Sequence, residues 1–266
     1  MTSRAPTIQQ ASVVYGGGVE LDDPAETYHE AAKLYRSTAG ASARGIRLLE
    51  QHPELQRSVS RAGRRNPQRP RVHLSEPVWA DVELGRALNS RTSLAPAPES
   101  SLSLADLTTL AYALNGRTTS GGRTIPSGGA LYPLELHVFA NRVTGVPAGV
   151  YHFDPFDQCL ELLAGEPARL ADAIVDPTHG LAPALLALTG VFWRSRFKYG
   201  QRGYRFTLLE AGHAMQNALL TAAALGLAAL PIGGYYDSAV DELLGVNGVD
   251  ESTVYVLAVG ERRGAR

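Results

Sequence analysis

Cysteine occurs once in the 266 residues, at Cys159. A single thiol can form no disulfide within the chain and no cysteine-based metal cluster, so no metal site is expected. It fits a reducing cytoplasm. Net charge is almost absent as well, since 25 Lys+Arg stand against 26 Asp+Glu. That balance excludes a nucleic-acid binder working through bulk positive potential, and a membrane-surface protein of the same kind. No apolar run reaches the roughly 18 residues of a membrane-spanning helix, and the first residues, MTSRAPTIQQ, have no signal-peptide core. What remains is a chain with 44% hydrophobic residues, long enough to bury a sizeable core.

Residues 1–75 differ in character from residues 76–266. Asp23 to Thr38 has the pattern of an amphipathic helix with Tyr28, Ala32 and Tyr35 on one face. Arg57 to Arg71 (RSVSRAGRRNPQRPR) carries six arginines, two prolines and little apolar content. It reads as a solvated linker, or else as a basic surface for an acidic partner. The first part is therefore a helical N-terminal extension with an Arg/Pro-rich linker.

From Glu76 the signals are denser. Trp79 to Ser90 predicts a helix, and Ser103 with Asp106 caps another that stops at Gly116. Leu134 to Ala140 alternates as a strand, GVYHFDP and QCLELLA continue as a meander, and Ala184 to Trp193 predicts a buried strand. Leu170 to Val175 is helical. A long helix spans about Arg205 to Leu225, with Gly226 where a terminating glycine belongs. It is apolar on most of its circumference, which predicts burial mid-domain. Its exceptions, Glu210, His213, Asn217 and Thr221, share one narrow stripe and need polar partners. A strand before Pro231, a helix capped by Ser238 and ended by Gly245, and a strand from Thr253 follow. Without a regular βαβ rhythm, the class is α+β with a central mixed or antiparallel sheet flanked by helices.

Two glycine-rich segments, Pro126-Ser127-Gly128-Gly129 and Pro231-Ile232-Gly233-Gly234, carry the chemistry. Glycine lets a backbone approach a flat ligand and leaves its N–H groups free to donate. Neither segment is a phosphate loop. Arg91 and Ser93, at a helix end, could grip a phosphate.

The ordered set RTS, R-x-x-PSGGALYPLELHV, GVYHFDP, KYGQRGYRFTLLEAGHAMQN and AAALGL-x-x-LPIGGYYD resembles the nitroreductase-fold flavoenzymes over roughly Glu76 to Gly260. Within them it is similar to the SagB-type or McbC-like azoline dehydrogenases. The resemblance implies an FMN-binding nitroreductase-like domain over residues 76–266 and a cytoplasmic homodimer with flavin at the subunit interface. It also implies oxidation of thiazoline or oxazoline rings in a peptide substrate to thiazole or oxazole, alongside a cyclodehydratase partner. By the same resemblance Arg91 and Ser93 hold the flavin phosphate, and Pro126, Ser127, Gly128 and Gly129 line the ring. Pro231, Ile232, Gly233 and Gly234 face flavin N5, and His213 and Asn217 lie near the ring or ribityl chain. Where these enzymes often have a further basic residue this chain has Ala95, so Arg123, Arg262 or Arg263 must supply the missing cation. Lys198 and Tyr199 match the catalytic Lys-Tyr pair. Adjacent residues can both reach one site only if Lys198-Tyr199-Gly200 is a turn or irregular loop. Two other readings stand beside this one. One is an NAD(P)H-dependent FMN reductase of nitro, quinone or ene substrates; the other is a non-catalytic docking subunit of a peptide-modifying complex.

Overall fold

The structure is a computed structural model and describes residues 23–37, 44–60, 63–97, 99–165 and 170–262. Helix α1 (Pro24–Ala31) opens on Asp23, whose side chain accepts from the Ala25 N–H. Helices α2 (Arg44–Gln51) and α3 (Pro53–Ser60) precede strand β1 (Arg71–His73). Helix α4 (Leu84–Ser90), the short strand β2 (Leu102–Ser103) and helix α5 (Leu104–Asn115) lead to a 3-10 turn at Gly128–Ala130. Strands β3 (Leu134–Ala140), β4 (Val143–Thr144), β5 (Gly149–Asp154) and β6 (Cys159–Ala164) come next. The single-turn helices α6 (Leu170–Ala173) and α7 (Pro177–Gly180) precede β7 (Ala184–Val191), α8 (Trp193–Tyr199) and α9 (Gln201–Ala224). The described chain finishes with β8 (Ala228–Ile232), α10 (Asp237–Leu244) and β9 (Glu251–Gly260).

Seven strands form one sheet in the order β1-β6-β5-β3-β7-β9-β8, with each neighbouring pair antiparallel. Strands β2 and β4 make a separate parallel pair. On one face Leu134, Leu136 and Val138 of β3 meet Leu107, Leu110 and Leu114 of α5 and Ala211, Ala214, Met215 and Ala218 of α9. On the other, Phe139, Leu185, Val256 and Ala258 pack under Leu170, Val240 and Leu244. The α+β expectation holds, and the sheet is antiparallel throughout.

The second face is apolar over only half its area. The rest carries Glu135, His137, His152, Asp154, Glu161, Thr189 and Glu251, all buried. Their cover is the segment expected to be a solvated linker. Arg64 N–H donates to Glu135 at 2.8 Å and its guanidinium pairs with Glu251. Arg65 pairs with Asp154 and Asp157, Arg71 pairs with Asp157 and Glu161, and Asn66 donates to Glu161. Pairing partners inside the molecule, not water, account for those arginines, and β1 extends the sheet across residue 75.

Other expectations shift for local reasons. The helix begun at Trp79 starts only at Leu84, because both backbone groups of Val78 bond the Thr109 hydroxyl and Trp79 packs edge-on against Tyr112. The strand expected to reach Trp193 stops at Val191, where Phe192 turns to helical angles and Trp193 begins α8. Tyr236, not Ser238, is the cap residue of α10, while Gly245 ends it in the left-handed region. Helix α9 starts earlier than expected, at Gln201, and it is not enclosed on all sides: Leu208 and Leu209 are 40% and 56% exposed. Among the described residues no helix is long and apolar enough to cross a membrane.

Candidate active site

Lys198 and Tyr199 are the last two residues of helix α8, not part of a loop. Gly200 then turns the chain at φ 57° straight into α9, a left-handed position suited to glycine. Consecutive helical residues diverge by roughly 100°, yet the two long side chains bend to one point. That point is Gly129, itself at φ 67°. A Cβ placed there would fall 2.6 Å from Lys198 Nζ and 2.7 Å from Tyr199 Oη. A side chain here would be strained by the positive φ and would displace both groups, so glycine lets the amine and the phenol approach the same stretch of backbone. The Lys198 Nζ also lies 5.3 Å from the centre of the Tyr199 ring, which packs edge-on against Phe206 at 5.0 Å.

Burial acts oppositely on the pair. It lowers the Lys198 amine below the ordinary lysine value, with Glu50 pulling the other way. It raises the Tyr199 phenol, which therefore keeps its proton. Glu50 belongs to α2, which lies directly on α8: a Cβ at Gly45 would fall 2.4 Å from Phe197 O. Between these helices is a cavity of about 540 Å³ lined by Ile46, Leu49, Glu50, Pro53, Arg57 and Lys198.

A second cavity, of about 330 Å³, opens beside the same glycine turn. Pro126, Ser127, Gly128, Phe206, Leu209, Glu210 and His213 line it. His213 is exposed at its mouth. Glu210 is 3% exposed, and burial pushes its carboxyl up to about 7 against the lowering effects of Ser127 and Arg123. Asn217, the next member of the stripe, instead clamps α5 to the glycine loop by donating to Ala113 O and Thr124 O at 3.3 and 3.2 Å.

The remaining expected site residues gather at the β8 edge. Leu94 N–H donates to Ala229 O and Ala97 N–H to Glu261 O, so the chain after α4 runs antiparallel to β8. Arg91 and Ser93 consequently lie toward its Pro231–Ile232 end, where Gly233 and Gly234 follow. Arg262 bonds Leu227 O through Nε, at the far end of that strand. Arg123 is committed elsewhere: buried, it donates to both Asn115 O and Asn115 Oδ1 at 3.1 Å. Arg263 is outside the described residues. The two glycine turns leave the same end of the sheet, from β3 and β8, three strand spacings apart, on the order of 14 Å. In the single chain the 330 Å³ cavity takes in the first turn and not the second.

Two features escaped sequence reasoning. Glu210 stood out as a polar interruption of an apolar helix, but nothing assigned it to a site. The roof over Lys198 comes from α2 and α3, whose spacing to Lys198 no motif records. Asp154, Cys159 and Glu161 also approach one another within 4.8 Å. Their carboxylates face Arg65 and Arg71, and burial pushes the Cys159 thiol up to about 11, so the group is an ion-pair network with an inert thiol.

Residues 97–261 match the sequence model of the nitroreductase family. The protein MJ1384 of Methanocaldococcus jannaschii, itself a nitroreductase by assignment only, is 33% identical over 196 residues, 72% of this chain and 97% of that protein. The microcin B17-processing protein McbC of Escherichia coli is 34% identical over 154 residues, so the match spans about half of each chain, 52% in both. The solved E. coli microcin synthetase McbBCD complex with truncated pro-MccB17 bound shares the fold, with a TM-score of 0.59 at 22% identity over 91% of this chain and 95% of that one. A family match covering most of the described core, and a relative aligned along nearly its whole length, place this chain in the nitroreductase family.

Proposed function

We propose that the chain is an FMN-dependent dehydrogenase that oxidises thiazoline or oxazoline rings of a peptide or peptide-like product to thiazole or oxazole. The observation that carries this reading is the meeting of Lys198 Nζ and Tyr199 Oη over Gly129. A hydride-transfer reductase fed by NAD(P)H has no need of a half-buried amine and phenol beside its cofactor loop. An enzyme that must also remove a proton from a ring carbon does.

The residues present fit a flat flavin. Gly128 presents no side chain to the cavity it lines, and Glu210, on the same wall, has a buried carboxyl oxygen with no partner among the described residues. Pro126 and Ser127 complete that wall, with His213 at its rim. Arg91 and Ser93 supply a cation and a hydroxyl for the phosphate, with Arg262 along the same strand and Pro231, Ile232, Gly233 and Gly234 at the ring. Asn217 keeps the glycine loop in place. When bound, FMN supplies a two-electron acceptor at N5.

The chain's own work is the proton. Aromatising the ring removes one hydride and one proton from neighbouring atoms. Lys198, with its amine already lowered by burial, accepts the proton and becomes ammonium. Tyr199 stays protonated and holds the ring heteroatom or the amine by hydrogen bond. Helices α2 and α3 line the space beside Lys198. The likeness to McbC and to a synthetase complex holding its precursor supports work on a peptide beside a ring-forming partner subunit. The separation of the two glycine turns, with the bare face of α9, supports a homodimer in which each flavin touches both copies.

The test is direct. Holoprotein given a thiazoline-bearing peptide should decrease its mass by two hydrogens per ring, and FMN should be reduced stoichiometrically without oxygen. Lys198→Ala and Tyr199→Phe should lose that activity while keeping the yellow spectrum. Wild-type turnover in both variants would remove the pair from the mechanism.

A further inference from the structure

Glu210 is the buried acid that the proposed chemistry leaves unused. It sits in the first half of α9, 3% exposed, on the wall of the 330 Å³ cavity. Its oxygens differ. Oε1 is buried with no partner among the described residues, and Ser127 lies near enough to favour the ionised form. Ser127 Oγ already accepts from Tyr132 N–H at 2.9 Å. The hydroxyl therefore has its single proton left to donate to the carboxyl. That arrangement makes the carboxyl an acceptor toward Ser127 and leaves its own proton for a group in the cavity that Glu210 lines. Arg123, the cation that could have kept the group ionised, is held by Asn115.

An unpaired polar atom in a closed site costs about 1–3 kcal/mol, so a ligand group is the natural partner. We infer that Glu210 is a ligand-recognition residue whose carboxyl group donates to a carbonyl or imine acceptor on the edge of the bound flavin. This rests on the FMN reading above. Its partner set is complete only in the holoprotein: Ser127 behind it and the acceptor in front. The other charged and titratable groups around it are His213 on the same helix, Arg123 from the loop, and Lys198 and Tyr199 beyond the glycines. Arg202 lies over the Phe206 ring.

A neutral donor and an ionised acceptor predict opposite behaviour. The test is FMN titration of the apoprotein by flavin fluorescence between pH 7 and 9, above the second phosphate ionisation near ~6. The wild type should bind FMN about tenfold more weakly per pH unit above the carboxyl's own ionisation. Glu210→Gln keeps a donor at that place and cannot ionise, so its affinity should match the wild type at pH 7 and stay flat to pH 9. Glu210→Leu should bind weakly at every pH, and His213→Gln should retain the wild-type slope. FMN binding by the wild type that is flat across this range, or a Gln variant that parallels a sloping wild type, overturns the inference alone. A wild type that takes up no FMN at any pH overturns the flavin reading and this inference with it. Circular dichroism of the Gln and Leu variants separates lost recognition from lost folding.

Discussion

Three titratable side chains, Lys198, Tyr199 and Glu210, lie around one glycine turn, and burial moves each toward its neutral form. For Lys198 this has a kinetic sign. The proton-accepting form is the free amine, so turnover should rise with pH and level off above the amine's own ionisation, at a lower pH than an ordinary lysine would allow. Glu50 pulls that amine up. Glu50→Gln should therefore shift the rising limb of the kcat profile to lower pH, and an unchanged or upward shift would refute this arrangement. For Glu210 the sign appears in stability. The folded carboxyl ionises near 7 against an ordinary 4.5. Its contribution to stability is full below the ordinary value and is lost as pH rises through about 7, a difference on the order of 3 kcal/mol. The apoprotein should melt at lower temperature at pH 8.5 than at pH 6, and Glu210→Gln should remove most of that drop.

At the scale of elements, the polar part of the sheet's second face links the N-terminal extension to helix α8. Glu135 is its centre. It accepts from Arg64 N–H and meets His152 at 2.9 Å, and Arg194 of α8 reaches it at 2.5 Å. Burial alone would raise the Glu135 carboxyl, but His152 and Arg194 outweigh it and hold it well below the carboxylate range. Arg194 also donates to Tyr132 O, next to the glycine turn. One ion pair thus fixes the helix carrying Lys198 and Tyr199 against the loop they meet. Arg194→Ala should cost roughly 3 kcal/mol in denaturant unfolding, since it leaves a buried carboxylate partly uncompensated. In the fraction that stays folded it should lower kcat with little change in FMN affinity; unaltered kcat would disconnect the network from catalysis. None of this was legible from the sequence. Glu135 and His137 in LELHVFA read as the solvent side of an alternating strand, and Arg64, Arg65 and Arg71 read as linker charge. Each half of a buried polar layer looks like surface until the other half is laid on it. The apolar half of the fold was legible because hydrophobic period alone dictates it: β3, β5, β6, β7, β9 and α5 lie close to their expected ranges.

At the scale of the molecule, the two glycine segments stood out in the sequence, but their relation to one another did not, because it depends on strand order. They leave the sheet from β3 and β8, and the Lys-Tyr pair meets only the first. On the reading proposed above, a flavin held by Arg91, Ser93 and the Pro231–Gly234 turn would be completed by the Ser127–Gly129 turn and Lys198 of a second copy. The long helix supplies a surface for that union. Leu208 and Leu209 are bare on α9, and Leu209 also lines the cavity beside Gly128. An exposed leucine contributes little to the stability of the single chain, so Leu208→Glu should change unfolding by no more than about 0.5 kcal/mol. Buried between two copies, the same carboxylate would lose its water and oppose association. Light scattering should find the wild type dimeric and Leu208→Glu monomeric, and the monomer should fail to retain FMN at concentrations that saturate the wild type. A wild-type monomer that binds FMN and turns over, or a Leu208→Glu dimer with undiminished flavin, would show instead that one chain builds the whole site.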